Sequence, residues 1–129
     1  MSRDVKIPGP DHPITITPSG DHVVVRSGAA TIADSRSTLV LREANYPPVH
    51  YVPIADVDRS QLADSELTSY CPYKGEASYY SIAADTELGK DAVWFYDDPS
   101  PAVAEIKGHV AFYPDRVQFS IETANGSEG

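Results

Sequence analysis

The sequence predicts a mainly β (α+β) fold, a compact antiparallel domain with one or two short helices. Three observations carry that expectation. Short runs of apolar and polar residues in alternation recur along most of the chain, which is the period of a half-buried strand. Turn-forming clusters separate them, drawn from 11 prolines and 8 glycines. Only one stretch, Asp97 to Gly108, carries both the start and the stop signals of a helix.

Taken in order, Ile14–Thr17 reads as a short edge strand, and Pro18-Ser-Gly-Asp21 as a turn. His22–Arg26 puts Val23 and Val25 on one face. Ala30–Asp34 and Thr38–Arg42 follow as strands joined through Ser35–Ser37, with the spacing of a meander. Pro47 and Pro48 interrupt the sheet because neither can donate a ladder hydrogen bond. Val49–Val52 resumes extended structure, and Pro53–Leu62 suits one or two helical turns. The stretch from Thr68 reads as a loop that runs into a strand at Ala77–Ala83. Asp85–Lys90 is a hairpin-type loop before a strand at Ala92–Tyr96. Ser100 suits a helix cap, Pro101 the first helical position and Gly108 the terminus. His109–Tyr113 and Arg116–Ile121 are expected to form a hairpin across Pro114-Asp115.

This organises the chain as an extended arm (1–13), a single β domain (14–121) and a polar tail (122–129). Alternation makes several strands two-faced. Val93 and Phe95 oppose Trp94 and Tyr96, and Val110 and Phe112 oppose His109 and Tyr113. One face is aliphatic core, while the other gathers Trp94, Tyr96, Tyr113 and Tyr79 as a second core layer or a pocket wall.

Composition narrows the function classes. The 129 residues fit one domain, with a net charge of −9 and a pI of about 4.7. An acidic surface repels phosphate backbones and anionic lipid, so neither nucleic acid nor membrane is an expected partner. The single cysteine excludes an internal disulfide, and 4 histidines without HxH or HxxxH spacing give no zinc cage. No metal and no cofactor is expected. The polar, proline-rich start has no signal-peptide core, which points to a cytoplasmic protein.

A set of motifs spread over roughly 110 residues carries a family resemblance. They are Pro8-Gly-Pro-Asp-His-Pro-Ile-Thr15, Ile32-Ala-Asp-Ser35, Tyr46-Pro-Pro-Val49, Pro53-Ile-Ala-Asp-Val57, Thr68 to Tyr80, Ala92-Val-Trp94, Asp98-Pro-Ser-Pro101 and Ala111-Phe-Tyr113 with Asp115-Arg116. Together they resemble the bacterial DUF427 family, also labelled nucleotidyltransferase-like. The resemblance implies a β-tent-type domain, similar in outline to thalidomide-binding and methionine sulfoxide reductase B domains. Those relatives usually hold zinc with four cysteines. This chain has Cys71 alone, so no metal carries over. Neither a Gly-Ser pair with a following Asp-x-Asp nor a phosphate-binding GxxxxGK loop supports the nucleotidyltransferase label.

The chemistry-bearing segment is Thr68 to Tyr80. Lys74, between Tyr73 and Gly75, suits an anion-binding loop, since glycine lets backbone N–H groups approach a ligand; the plain alternative is a surface lysine in a turn. Cys71 is either a nucleophile or redox thiol, or a small residue packed before Pro72. Arg42 can clamp a carboxylate or phosphate, or sit in a salt bridge to Glu43 or Asp56. Trp94 is either a stacking face or core. The preferred reading is a small-molecule binding domain whose pocket is walled by Trp94, Tyr73, Tyr79 and Tyr46, with Lys74, Gly75 and Arg42 fixing a polar or anionic group. The alternative is an enzyme using Cys71 as nucleophile, or Lys74 with a tyrosine as acid–base groups. Binding is preferred because no histidine lies near Cys71 in the chain to serve as its base.

Overall fold

The computed structural model describes residues 5–85 and 87–123. The expected tail therefore lies outside the described residues from 124 onward, as do residues 1–4 of the arm. The described chain forms ten strands: β1 (Ile14–Pro18), β2 (His22–Ser27), β3 (Ala30–Ser35), β4 (Leu39–Glu43), β5 (Val49–Pro53), β6 (Leu62–Cys71), β7 (Gly75–Ile82), β8 (Val93–Phe95), β9 (His109–Phe112) and β10 (Gln118–Glu122). Seven form a sheet in the order β1-β4-β5-β9-β8-β7-β6, and three form a second sheet in the order β10-β2-β3. All the pairings are antiparallel. The fold is a mostly β, open sandwich-like domain, in line with the class the sequence predicts.

Two cores follow from strand alternation. Between the sheets, Val23, Val25 and Ile32 of the small sheet meet Val52, Ile82, Val93, Val110 and Phe112 of the large one. On the opposite face of the large sheet, Leu41, Tyr51, Ala77, Tyr79 and Ala111 pack with Tyr96 under Val103 and Ile106. At roughly 1.5–3 kcal/mol for each large side chain fully buried, these layers supply the main drive to fold.

The pairing departs from the meander. β1 pairs with β4, not β2, because β2 and β3 turn away to form the small sheet with β10. β9 and β10 do not form a hairpin: β9 pairs with β5 and β8, while β10 crosses to β2. The stretch from Thr68 to Cys71 is not a loop but the end of β6, an edge strand whose register slips between Asp64 and Thr68. Helical structure is confined to 3-10 turns at Ile54–Asp56, Arg59–Gln61 and Pro101–Ile106. Pro101 does sit at the start of the last of these, but Ser100 makes no side-chain cap bond, and Val103 leaves the helical region at φ −127°. Gly108 ends it at φ +79°. No described helix is long and apolar enough to cross a membrane.

One feature of the sheet positions the site. β5 pairs with β4 through Val49, His50 and Tyr51, but with β9 only at Val52↔Val110 and Pro53↔His109. Beyond Val110, the residues Ala111 and Phe112 pair with β8 alone. The two strands therefore part company, and a gap opens in the large sheet between Val49–Tyr51 and Ala111–Phe112.

Candidate functional site

A cavity of about 690 Å³ occupies that gap. Its sides are Val49, His50 and Tyr51 from β5, with Phe112 and Pro114 opposite. Leu41 and Glu43 of β4 and Cys71 and Lys74 of the β6–β7 turn form one end. Phe119 and Ile121 of β10 contribute from the small sheet, Tyr46, Pro47 and Pro48 from the β4–β5 loop, and Trp94 from β8. Most of these side chains are apolar or aromatic, and the volume lies in the range of small-molecule sites.

The polar end is built by a tight turn. Pro72, Tyr73 and Lys74 connect β6 to β7, with Cys71 opposite Gly75 and the Lys74 amide donating to the Cys71 carbonyl at 3.1 Å. Gly75 takes φ +110°, and a Cβ there would come to 3.4 Å of the Asp98 carbonyl oxygen, so no other residue fits without strain. The turn is held from both sides: the Lys6 amide donates to Pro72 O and the Ser100 amide to Lys74 O, each at 2.9 Å.

Held this way, Lys74 donates to Glu43 Oε1 at 2.5 Å. The second carboxylate oxygen, Oε2, lies 2.7 Å from His12 Nε2. Glu43 is only 8% exposed. Burial pushes its carboxyl up, but the hydrogen bonds and charges of Lys74 and His12 outweigh burial and hold it below the ordinary carboxylate value. His12 belongs to the arm and stacks on Tyr73, with ring centroids 4.0 Å apart and planes 7° from parallel. Ala44, just after Glu43, sits at φ +47°. Its amide donates to Pro13 O at 2.8 Å, which ties the arm to the end of β4.

At the aromatic wall, Trp94 Nε1 donates to the Tyr51 hydroxyl at 3.1 Å, and the Trp94 ring packs on Tyr113 at 4.5 Å. Tyr51 is almost fully buried, which raises its phenol above the ordinary range. Among the described residues, the Tyr51 hydroxyl accepts from Trp94 and no acceptor for its own proton is present. His50 bonds through Nδ1 to Thr38 Oγ1 at 3.0 Å. Burial, aided by the charge of Arg42 and opposed by that of Asp21, lowers its pKa and favours the neutral ring. Among the described residues, no three His, Cys, Asp or Glu side chains converge in a way that could hold a metal ion.

The residues singled out in the sequence fall into three groups. Lys74, Trp94, Tyr46 and Cys71 line the cavity. Tyr46 does so at the rim, 64% exposed and edge-on to His12. Tyr73 and Gly75 are outside it and shape the turn that aims Lys74. Tyr79 and Arg42 are elsewhere. Tyr79 is buried, is 2.8 Å from Ser69 Oγ, and lines a smaller cavity of about 430 Å³ with Tyr113, Leu67 and Arg116. Arg42 is exposed next to Glu43 but points to the other side of β4, so the salt bridge to Glu43 does not form; Asp56 bonds to Ser35 instead. Sequence reasoning missed Glu43, Tyr51 and His12 as site residues. For Glu43 a signal existed: with period two it shares a face with Leu39 and Leu41, and a carboxylate on an apolar face calls for a buried partner.

A family model described as a domain of unknown function (DUF427) matches residues 15–123. The chain belongs to that family. No curated protein matches it.

Proposed function

We propose that this domain binds a small ring-bearing molecule in the cavity between β5 and β9, with the ring against Trp94 and a polar group at Lys74 and Glu43. The observation that carries the reading is the cavity itself, lined mainly by apolar and aromatic side chains and holding a fixed ion pair, the usual composition of a small-molecule site. The arm, the turn and the 98–100 segment all converge to fix that pair, more structure than a surface lysine requires.

Binding is favoured over catalysis by the partners of the reactive groups. Lys74 donates to a buried carboxylate, so its amine is already engaged and is poorly placed to act as a base or nucleophile. Cys71 lines the cavity, and the hydrogen bonds of His12 and His50 go to Glu43 and Thr38 rather than to its thiol. The Tyr51 and Tyr96 phenols are pushed above their ordinary range, away from acid–base work near neutrality. A library of ring-bearing metabolites screened by thermal shift on wild type and Lys74→Ala tests the proposal. Hits that stabilise the wild type and lose most of their effect in the variant are expected; hits that bind both proteins equally, or bind away from Trp94, contradict it.

A further inference from the structure

An anion was the natural partner for Lys74 as long as its charge was free. The fold removes that premise. Lys74 and Glu43 are the two residues along the cavity with a formal charge, and they face each other at 2.5 Å. His12 supplies the second contact to Glu43 but does not line the cavity. His50 is bonded to Thr38, and burial favours its neutral ring. The two charges that line the cavity therefore answer each other while the protein as a whole carries −9, so an anion is repelled at long range and finds its cation already occupied. A cation finds Glu43 equally occupied. Burying either charge without a free partner is strongly unfavourable.

Hydrogen-bonding capacity remains nonetheless. Lys74 Nζ has three donor positions and Glu43 uses one. Among the described residues none takes the Tyr51 hydroxyl proton, and each Glu43 oxygen accepts one bond and can accept another. Away from that pair, Phe112, Phe119 and Ile121 add apolar lining.

We infer that the ligand is an uncharged amphiphile, with a head group that both accepts from Lys74 or Tyr51 and donates to Glu43, and a ring or chain that runs past Trp94 toward Phe119. This rests on the cavity being the binding site, as proposed above, and names the ligand class for it.

Three probes separate the two claims: 4-phenylbutanamide, 4-phenylbutanoate and 4-phenylbutylamine share one ring and chain and differ in head-group charge. Each is titrated at pH 8, above the ordinary histidine range, with the fluorescence of Trp94 as readout. Trp94 is the single tryptophan in the chain. The amide is expected to bind at least about tenfold more tightly than either charged probe, the scale of one buried polar group left unsatisfied. Glu43→Gln leaves the Lys74 charge unanswered and should move the order toward the carboxylate. Lys74→Gln does the reverse and should move it toward the amine. The wild-type order decides the matter even if one variant fails to fold. A wild-type preference for the carboxylate, or variants that leave the order unchanged, overturns the inference while the Trp94 response still supports the cavity as a site. No Trp94 response to any probe at millimolar concentration overturns both.

Discussion

Lys74 Nζ lies 2.5 Å from Glu43 Oε1, across 31 residues of sequence, and joins the β6–β7 turn to the end of β4. Both side chains are largely shielded from water, at 15% and 10% exposure. A pair this enclosed is costly to break from one side, because the survivor is left charged and buried.

Lys74→Met should therefore destabilise the domain by on the order of 2–4 kcal/mol, and Glu43→Gln by a comparable amount. The double variant should cost clearly less than the sum of the two, since neither charge then remains. Chemical denaturation of the three variants checks this; additive losses would mean that the pair is not coupled. The same contact sets a pH dependence. The Glu43 carboxyl is held below its ordinary value of 4.5 in the folded state, so its contribution is complete above that value and is lost as pH falls through the folded pKa. Many other carboxylates titrate in the same window, so the quantity to measure is a difference. Wild type should lose its advantage over Glu43→Gln as melts are taken from pH 6 down to about pH 3. An advantage that is constant across this range contradicts the assignment.

Two backbone positions beside the pair make opposite predictions. Gly75→Ala places a Cβ at φ +110° and should cost about 1–3 kcal/mol. Ala44→Gly relieves a left-handed backbone at φ +47°, where the gain is offset in part by a freer unfolded chain. It should lie between neutral and about 1 kcal/mol stabilising. Thermal melts give both signs, and a strongly destabilised Ala44→Gly would show that the methyl group is doing something the backbone angles do not explain.

Cys71→Ser should keep the fold at a cost of about 1–3 kcal/mol, because a hydroxyl replaces a thiol in a mostly apolar wall. Binding of any ligand found by the screen should survive it. Complete loss of function in a folded Cys71→Ser protein would instead make the thiol a reacting group.

How far the sequence led is clearest at particular residues. The alternation in β8 and β9 placed Val93, Phe95, Val110 and Phe112 away from Trp94, and in the structure Val93, Val110 and Phe112 are core between the sheets while Trp94 packs on the second face. The turn chemistry around Gly75 was readable because φ +110° requires glycine. β6 was not readable: Ala63, Asp64, Glu66, Leu67, Thr68 and Ser69 lie exposed on an edge, so no buried face imposes a pattern. Nor was the split between β5 and β9, which depends on β10 pairing with β2 rather than with its neighbour in sequence. Such long-range pairing leaves no local trace, and the cavity depends on it.

The central claim, that the cavity between β5 and β9 is a binding site, is tested most directly by the indole N–H resonance of Trp94. It is a single peak in a ¹H–¹⁵N spectrum because the chain has one tryptophan. Its proton is bonded to the Tyr51 hydroxyl at the cavity wall. Titration with 4-phenylbutanamide should move that peak in a saturable way, together with the amides of Lys74 and Tyr51. Saturable shifts confined to residues away from this wall, with the Trp94 peak unmoved, would contradict the account.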